Sequence, residues 1–111
     1  MLLLHNSVQP YAWGTVDGLA DLVGSTPTGG HEAELWVGTH PKAPSLVVDD
    51  PAGRSLAEVI ASDPARWLGP ELAGQGDTAL PFLLKVLAIG EPLSLQAHPS
   101  ADEARAGFAR E

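Results

Sequence analysis

The sequence contains no cysteine, which removes disulfides and thiolate metal sites from consideration. Any metal must be held by histidine, carboxylate or amide oxygen. Cations are also scarce. Lys42, Arg54, Arg66, Lys85, Arg105 and Arg110 stand against 14 acidic residues, for a formal net charge of -8. That balance repels a nucleic-acid backbone and an anionic bilayer alike, so neither is an expected partner. A phosphorylated ligand would need local cations, which makes each of the six informative. Long hydrophobic runs are missing as well. The longest, near Leu80 to Gly90, is interrupted by Pro81 and Lys85, and no cationic segment followed by an apolar stretch opens the chain. These features predict a soluble, cytoplasmic protein.

What is present is enough for a core. With 44% hydrophobic residues in 111 and a mean hydropathy of +0.04, the chain reads as one ordered domain or one piece of a larger one. The 12 glycines and 10 prolines cut it into short segments, the punctuation of short strands joined by turns. The expected class is mainly β with a few short helices. Strands are predicted over 2–4, 33–39, 46–48, 81–89 and 93–98, with loops at 24–30 and 49–53. Ser55-Leu-Ala-Glu58 and Ser100-Ala-Asp-Glu103 both fit the capping box that satisfies free N–H groups at a helix start. The first helix is predicted over 56–61, restarting at Pro64 and closed by Gly69. The second runs from Ala101 and is still helical in pattern at the last residue, the mark of an interrupted element. A shorter helix is expected at 19–23, stopped by Gly24.

The segment "SLQAHP" at 94–99 alternates polar and apolar residues. On a strand, Leu93, Leu95 and Ala97 share one face, while Ser94, Gln96 and His98 share the other. A two-residue turn at Gly90-Glu91 fits a type II′ hairpin, whose register sets Lys85 against Gln96. Lys85, Ser94, Gln96 and His98 then project from one side of the hairpin, and a polar cavity accounts for a lysine within an apolar strand. Imidazole and amide oxygen two residues apart suit a cation such as Zn²⁺, yet two ligands are only part of a site. His5, His31 and His40 have no paired spacing with His98 and read as surface residues. In "EAELWVGTHP", Glu32, Glu34, Trp36 and Gly38 fall on one face. Glu34 is either an inward carboxylate in an aromatic-lined pocket or part of a solvated face. Trp13 reads as core.

Four segments together resemble, in order and spacing, the N-terminal part of type I mannose-6-phosphate isomerases: "NSVQPYAWG" at 6–14, "AELWVGTHP" at 33–41, "LPFLLKVLAIGEPLSLQAHP" at 80–99 and the trailing "ADEARAGFARE". Val37 departs from the pattern, where the family more often has Met, a swap that conserves volume. The resemblance implies a cupin-like, jelly-roll fold of which residues 1–111 are a partial, N-terminal portion of the catalytic domain. It also implies a zinc enzyme that interconverts mannose 6-phosphate and fructose 6-phosphate through an enediol. By the same resemblance Gln96 and His98 ligate the one zinc ion, Lys85 and Ser94 act at the substrate, and Trp13 and Glu34 line its pocket. The remaining ligands, the general base and a phosphate-binding arginine fall beyond residue 111, so this stretch alone is expected to be inactive. Two other readings are a non-catalytic cupin-like sugar- or metal-binding protein and a chain that self-associates through open strand edges.

Overall fold

In the computed structural model, residues 1–94 and 97–110 are described. Seven short strands and five short helices alternate along them: β1 (Leu4–His5), β2 (Ser7–Gln9), β3 (Thr15–Val16), α1 (Gly18–Val23), β4 (His31–Glu32), β5 (Glu34–Gly38), β6 (Leu46–Val47), α2 (Leu56–Ser62), α3 (Pro64–Leu68), α4 (Pro70–Gly74), β7 (Leu83–Leu87) and α5 (Ala101–Phe108). The expected strands at 33–39, 46–48 and 81–89 are present with trimmed ends, and the one expected at 2–4 is shifted to Leu4–His5. Both capping boxes form. Ser55 N–H donates to Glu58 Oε2 at 2.8 Å while Glu58 N–H donates to Ser55 Oγ at 3.3 Å, and Ser100 with Glu103 repeats the arrangement at the same distances. Helix α5 ends at Phe108, with Ala109 as its cap, rather than running on to the last residue. Helix α4 had no sequence expectation. Gly69 closes α3, but Pro70 supplies a favoured first helical residue and starts another turn.

The central element is an antiparallel sheet in the order β2-β5-β7. Its register sets Gln9 opposite Glu34 and Glu34 opposite Leu87, then Ser7 opposite Trp36 and Trp36 opposite Lys85. Because side chains alternate along each strand, Gln9, Glu34, Trp36, Lys85 and Leu87 share one face, and Val8, Leu35, Val37, Leu84 and Val86 share the other. The first is the better covered. Glu34 and Trp36 are buried, whereas Val8 and Leu84 on the apolar face are 39% and 56% exposed. The described residues form a plate, 48 × 44 × 18 Å, with a radius of gyration of 17.0 Å. A compact domain of this length has about 13 Å. Besides buried Ala33 and Trp36 in and beside β5, the small core lies in two places. One holds Leu56, Val59 and Ile60, an i, i+3, i+4 stripe on α2, together with Val47 of β6. The other holds Leu19 and Ala20 of α1, where buried Glu32 Oε2 accepts from Ala20 N–H at 2.7 Å.

The hairpin expected across Gly90-Glu91 does not form among the described residues, which is a correction to the sequence reading. Ile89 bridges Gly14 instead, and the N–H groups of Gly90 and Glu91 both donate to the Trp13 carbonyl, at 2.9 and 3.2 Å. Pro92 has no N–H to give the Ile89 carbonyl, so the bond that closes a two-residue turn cannot form, and the N–H groups of 90 and 91 anchor on the 13–14 segment. Leu93, Ser94, Ala97 and His98 lie outside any strand. On its β5 side Lys85 faces Trp36; Gln96, which the expected register sets against it, lies with Leu95 outside the described residues.

This crossing depends on Gly14. A Cβ there would stand 2.5 Å from Ala33 Cα and 2.6 Å from Ala33 N, atoms of a paired backbone that cannot swing away. Gly14→Ala is expected to destabilise the protein by roughly 2 kcal/mol or more, seen as a lower denaturant midpoint at unchanged slope. A second expectation concerns acid. Asp50 accepts from the Arg54 side chain at 2.8 and 3.1 Å and from its backbone N–H at 2.8 Å. The Arg54 side chain first, and then its backbone N–H, hold the Asp50 pKa down to about 2 from an ordinary 3.8. The depressed value means that this contribution is present above about pH 4 and is lost as pH falls towards about 2. Thermal melts across that window should show a shallower loss in Asp50→Asn than in the parent, and parallel curves would contradict the assignment.

Candidate functional site

The polar face of the sheet opens into a cavity of about 490 Å³ lined by Tyr11, Trp13, Glu34, Lys85, Leu87, Leu93 and Ser94. Strand register explains why Glu34 and Lys85 meet. Lys85 is paired with Trp36, two residues along β5 from Glu34, so the two are diagonal neighbours within reach of a long side chain. Lys85 Nζ stands 3.0 Å from Glu34 Oε2. The same oxygen accepts from Trp36 Nε1–H at 2.5 Å. Glu34 is therefore an inward carboxylate, and the solvated-face reading is set aside. Its side chain is 11% exposed and that of Lys85 38%, so the acid is deep and the amine reaches outward to the cavity. An unpaired carboxylate at that depth would cost several kcal/mol, and losing one charged partner costs about 1–3 kcal/mol.

The Trp36 ring is surrounded by cations and a histidine. Lys85 Nζ lies 4.8 Å from a Trp36 ring centre and Lys42 Nζ 5.4 Å, within cation–π range. His40 meets the ring edge-on with centroids 4.7 Å apart. Trp13 is half-buried at the cavity wall rather than in the core, and its ring stacks on Tyr11 at 6.0 Å with 24° between the planes. Both sit on the turn that β2 leads into, closed by the Gly14 N–H to Tyr11 carbonyl bond of 3.0 Å. Tyr11 and Leu93 were not singled out from the sequence. The aromatic–x–aromatic spacing of "YAW" is the signal for Tyr11, and Leu93, expected on the apolar face of a strand, lies outside any strand and lines the cavity.

Of the residues expected at the site, Trp13, Glu34, Lys85 and Ser94 line this one cavity. His98 is exposed and is not among the lining residues, and Gln96 lies outside the described residues. His5, His31 and His40 are exposed, as expected. His31 nevertheless has a structural task, its Nδ1 standing 2.7 Å from the Gly14 carbonyl. Among the described residues no group of three or more histidine, aspartate or glutamate side chains could hold a metal ion. One imidazole and one amide oxygen suit zinc in chemistry but fall short of the three protein ligands of a catalytic zinc site. Among the same residues no helix is long and apolar enough to cross a membrane.

Known proteins give this geometry a setting. The family model for the catalytic domain of type I phosphomannose isomerase matches residues 1–111. A mannose-6-phosphate isomerase of Escherichia coli (strain K12) is 46% identical over 114 residues, covering 100% of this chain and 29% of the relative, and one from Homo sapiens is 35% identical, covering 89% and 26%. A crystal structure of mannose 6-phosphate isomerase from Salmonella typhimurium, bound to substrate (fructose 6-phosphate) and zinc, superposes with a TM-score of 0.83 at 40% identity, covering 96% of this chain and 27% of that one. The cupin-like fold expected from the resemblance is the fold of these neighbours. The chain thus spans less than a third of the length of the relatives it matches. Matched along all of its residues, it belongs to the family of type I phosphomannose isomerase catalytic domains.

Proposed function

We propose that residues 1–111 supply the substrate-facing wall and two zinc ligands of a mannose-6-phosphate isomerase, as the N-terminal portion of its catalytic domain. The observation that carries this reading is the convergence of Trp13, Glu34, Lys85 and Ser94 on one cavity, in a chain whose Salmonella relative has been crystallised with fructose 6-phosphate and zinc. The ligand is a small sugar phosphate and the setting cytoplasmic. Nucleic acid and membrane are not partners, in keeping with the net charge of -8. Self-association through the open side of β7 is the lesser reading, because a further strand of the same protein can pair there equally well.

Aldose–ketose isomerisation moves a proton between C1 and C2 and places negative charge on the sugar oxygens along the way. Gln96 and His98 would hold the zinc with ligands from outside this stretch, and zinc supplies Lewis-acid stabilisation of that charge. The chain's own groups have separable tasks. Lys85, anchored through Glu34, presents a fixed ammonium to developing oxyanion charge in the cavity. Glu34, with Trp36 and Lys85 on one oxygen, keeps Oε1 as an acceptor for a sugar hydroxyl. Ser94, also in the lining, offers a neutral donor and acceptor. Trp13 supplies a flat apolar surface for the sugar ring.

The test uses the full-length protein containing this stretch. Conversion of mannose 6-phosphate to fructose 6-phosphate should stop on chelation and return with zinc. Lys85→Ala is expected to lose about 100-fold or more in kcat. His98→Ala should lose both turnover and bound zinc, while His31→Ala keeps both and loses only stability. Turnover indifferent to chelator would overturn the proposal, and sugar-phosphate binding without turnover would move the chain to the non-catalytic class.

A further inference from the structure

The conformation of Tyr11 has an anchor that the proposed chemistry does not use. Strand β5 ends at Gly38, and the chain then makes a tight turn, with Ala43 N–H donating to the His40 carbonyl at 3.0 Å and Lys42 N–H to His40 Nδ1 at 3.2 Å. The turn sends the Lys42 side chain back over the sheet. Its ammonium donates to Tyr11 Oη at 3.1 Å and stands 5.3 Å from the Tyr11 ring centre, as well as 5.4 Å from that of Trp36. Tyr11 belongs to a turn, not to a strand, and its ring forms part of the cavity wall. Among the described residues, that ring stacks on Trp13 and its hydroxyl accepts from Lys42.

From this geometry we propose that Lys42 is a positioning residue for substrate binding: it latches Tyr11 against Trp13 so that the two rings present a continuous aromatic wall to the sugar. The inference rests on the reading of the cavity as a sugar-phosphate site. An amine that also sits over Trp36 couples the wall to the Glu34–Trp36–Lys85 group, since both lysines lean on one indole. The wall contacts the sugar alike before and during reaction, so the latch contributes uniform binding rather than stabilisation of the transition state alone.

In the zinc-loaded full-length protein, Lys42→Met is therefore expected to raise KM about fivefold with kcat within about twofold of the parent, and Lys42→Arg to restore KM. Tyr11→Phe, which keeps the ring and loses the hydroxyl, should match Lys42→Met. The double variant should add little to either, because both remove one bond. An unchanged KM in Lys42→Met, a loss confined to kcat, or additive effects in the double variant would each overturn the latch. A parent without isomerase activity would instead remove the functional reading, and a second measurement then still decides the latch. In NMR spectra of ring-labelled full-length protein the Tyr11 signal is assigned by its loss in Tyr11→Phe, and it is shifted by the Trp13 ring current. That shift should survive in Lys42→Arg and collapse towards the free-tyrosine value in Lys42→Met; equal shifts in both would overturn it.

Discussion

A single carboxylate oxygen organises this site. Glu34 Oε2 receives the Trp36 indole N–H and the Lys85 ammonium together, and each of the three groups would be a liability without the others. The acid is buried, the amine lies in a strand otherwise made of leucine and valine, and the indole is wide enough to need a polar partner when covered. Joined, they fix the floor of a cavity on one face of a three-stranded sheet. The fixed geometry is what an enzyme needs in order to meet developing charge without reorganising its own dipoles.

The sheet that carries this group is thin and unevenly covered. Its polar face is the sheltered one, and its apolar face, with Val8 and Leu84, meets solvent in a plate only 18 Å thick. That inversion of the usual order fits a barrel-like fold whose interior holds chemistry rather than a purely hydrocarbon core. It also matches the share of the family's length that these residues represent, since 29% of a relative contributes only part of the layers around the cavity. The buried hydrocarbon that is present, on α1 and α2, is pinned by polar devices: the Glu32 bond to Ala20, the Ser55–Glu58 cap and the Asp50–Arg54 pair.

Local devices were the readable part of the fold. Ser-x-x-Glu announced both capped helices because the reciprocal bonds involve residues three apart, and Gly24 and Gly69 marked helix ends for similarly local reasons. Strands β2, β3 and β4 escaped notice because two or three residues give no measurable period. The Gly90-Glu91 hairpin failed on a different ground: Pro92 cannot donate the closing bond, and Ile89 bridges Gly14, some 75 residues earlier in the chain.

The sequence by itself determined the residue types of the site, its acidic surroundings, the starts of the two capped helices and, through motif order, the family, all of which depend on composition or on spacings of a few residues. Only the tertiary structure decided that Glu34 points inward, that Lys85 lies across from Trp36, and that Tyr11 joins the wall under Lys42. Those three outcomes rest on strand register and on one glycine crossing, and register is set by contacts between segments far apart in the chain, where no local pattern can specify which partner is met.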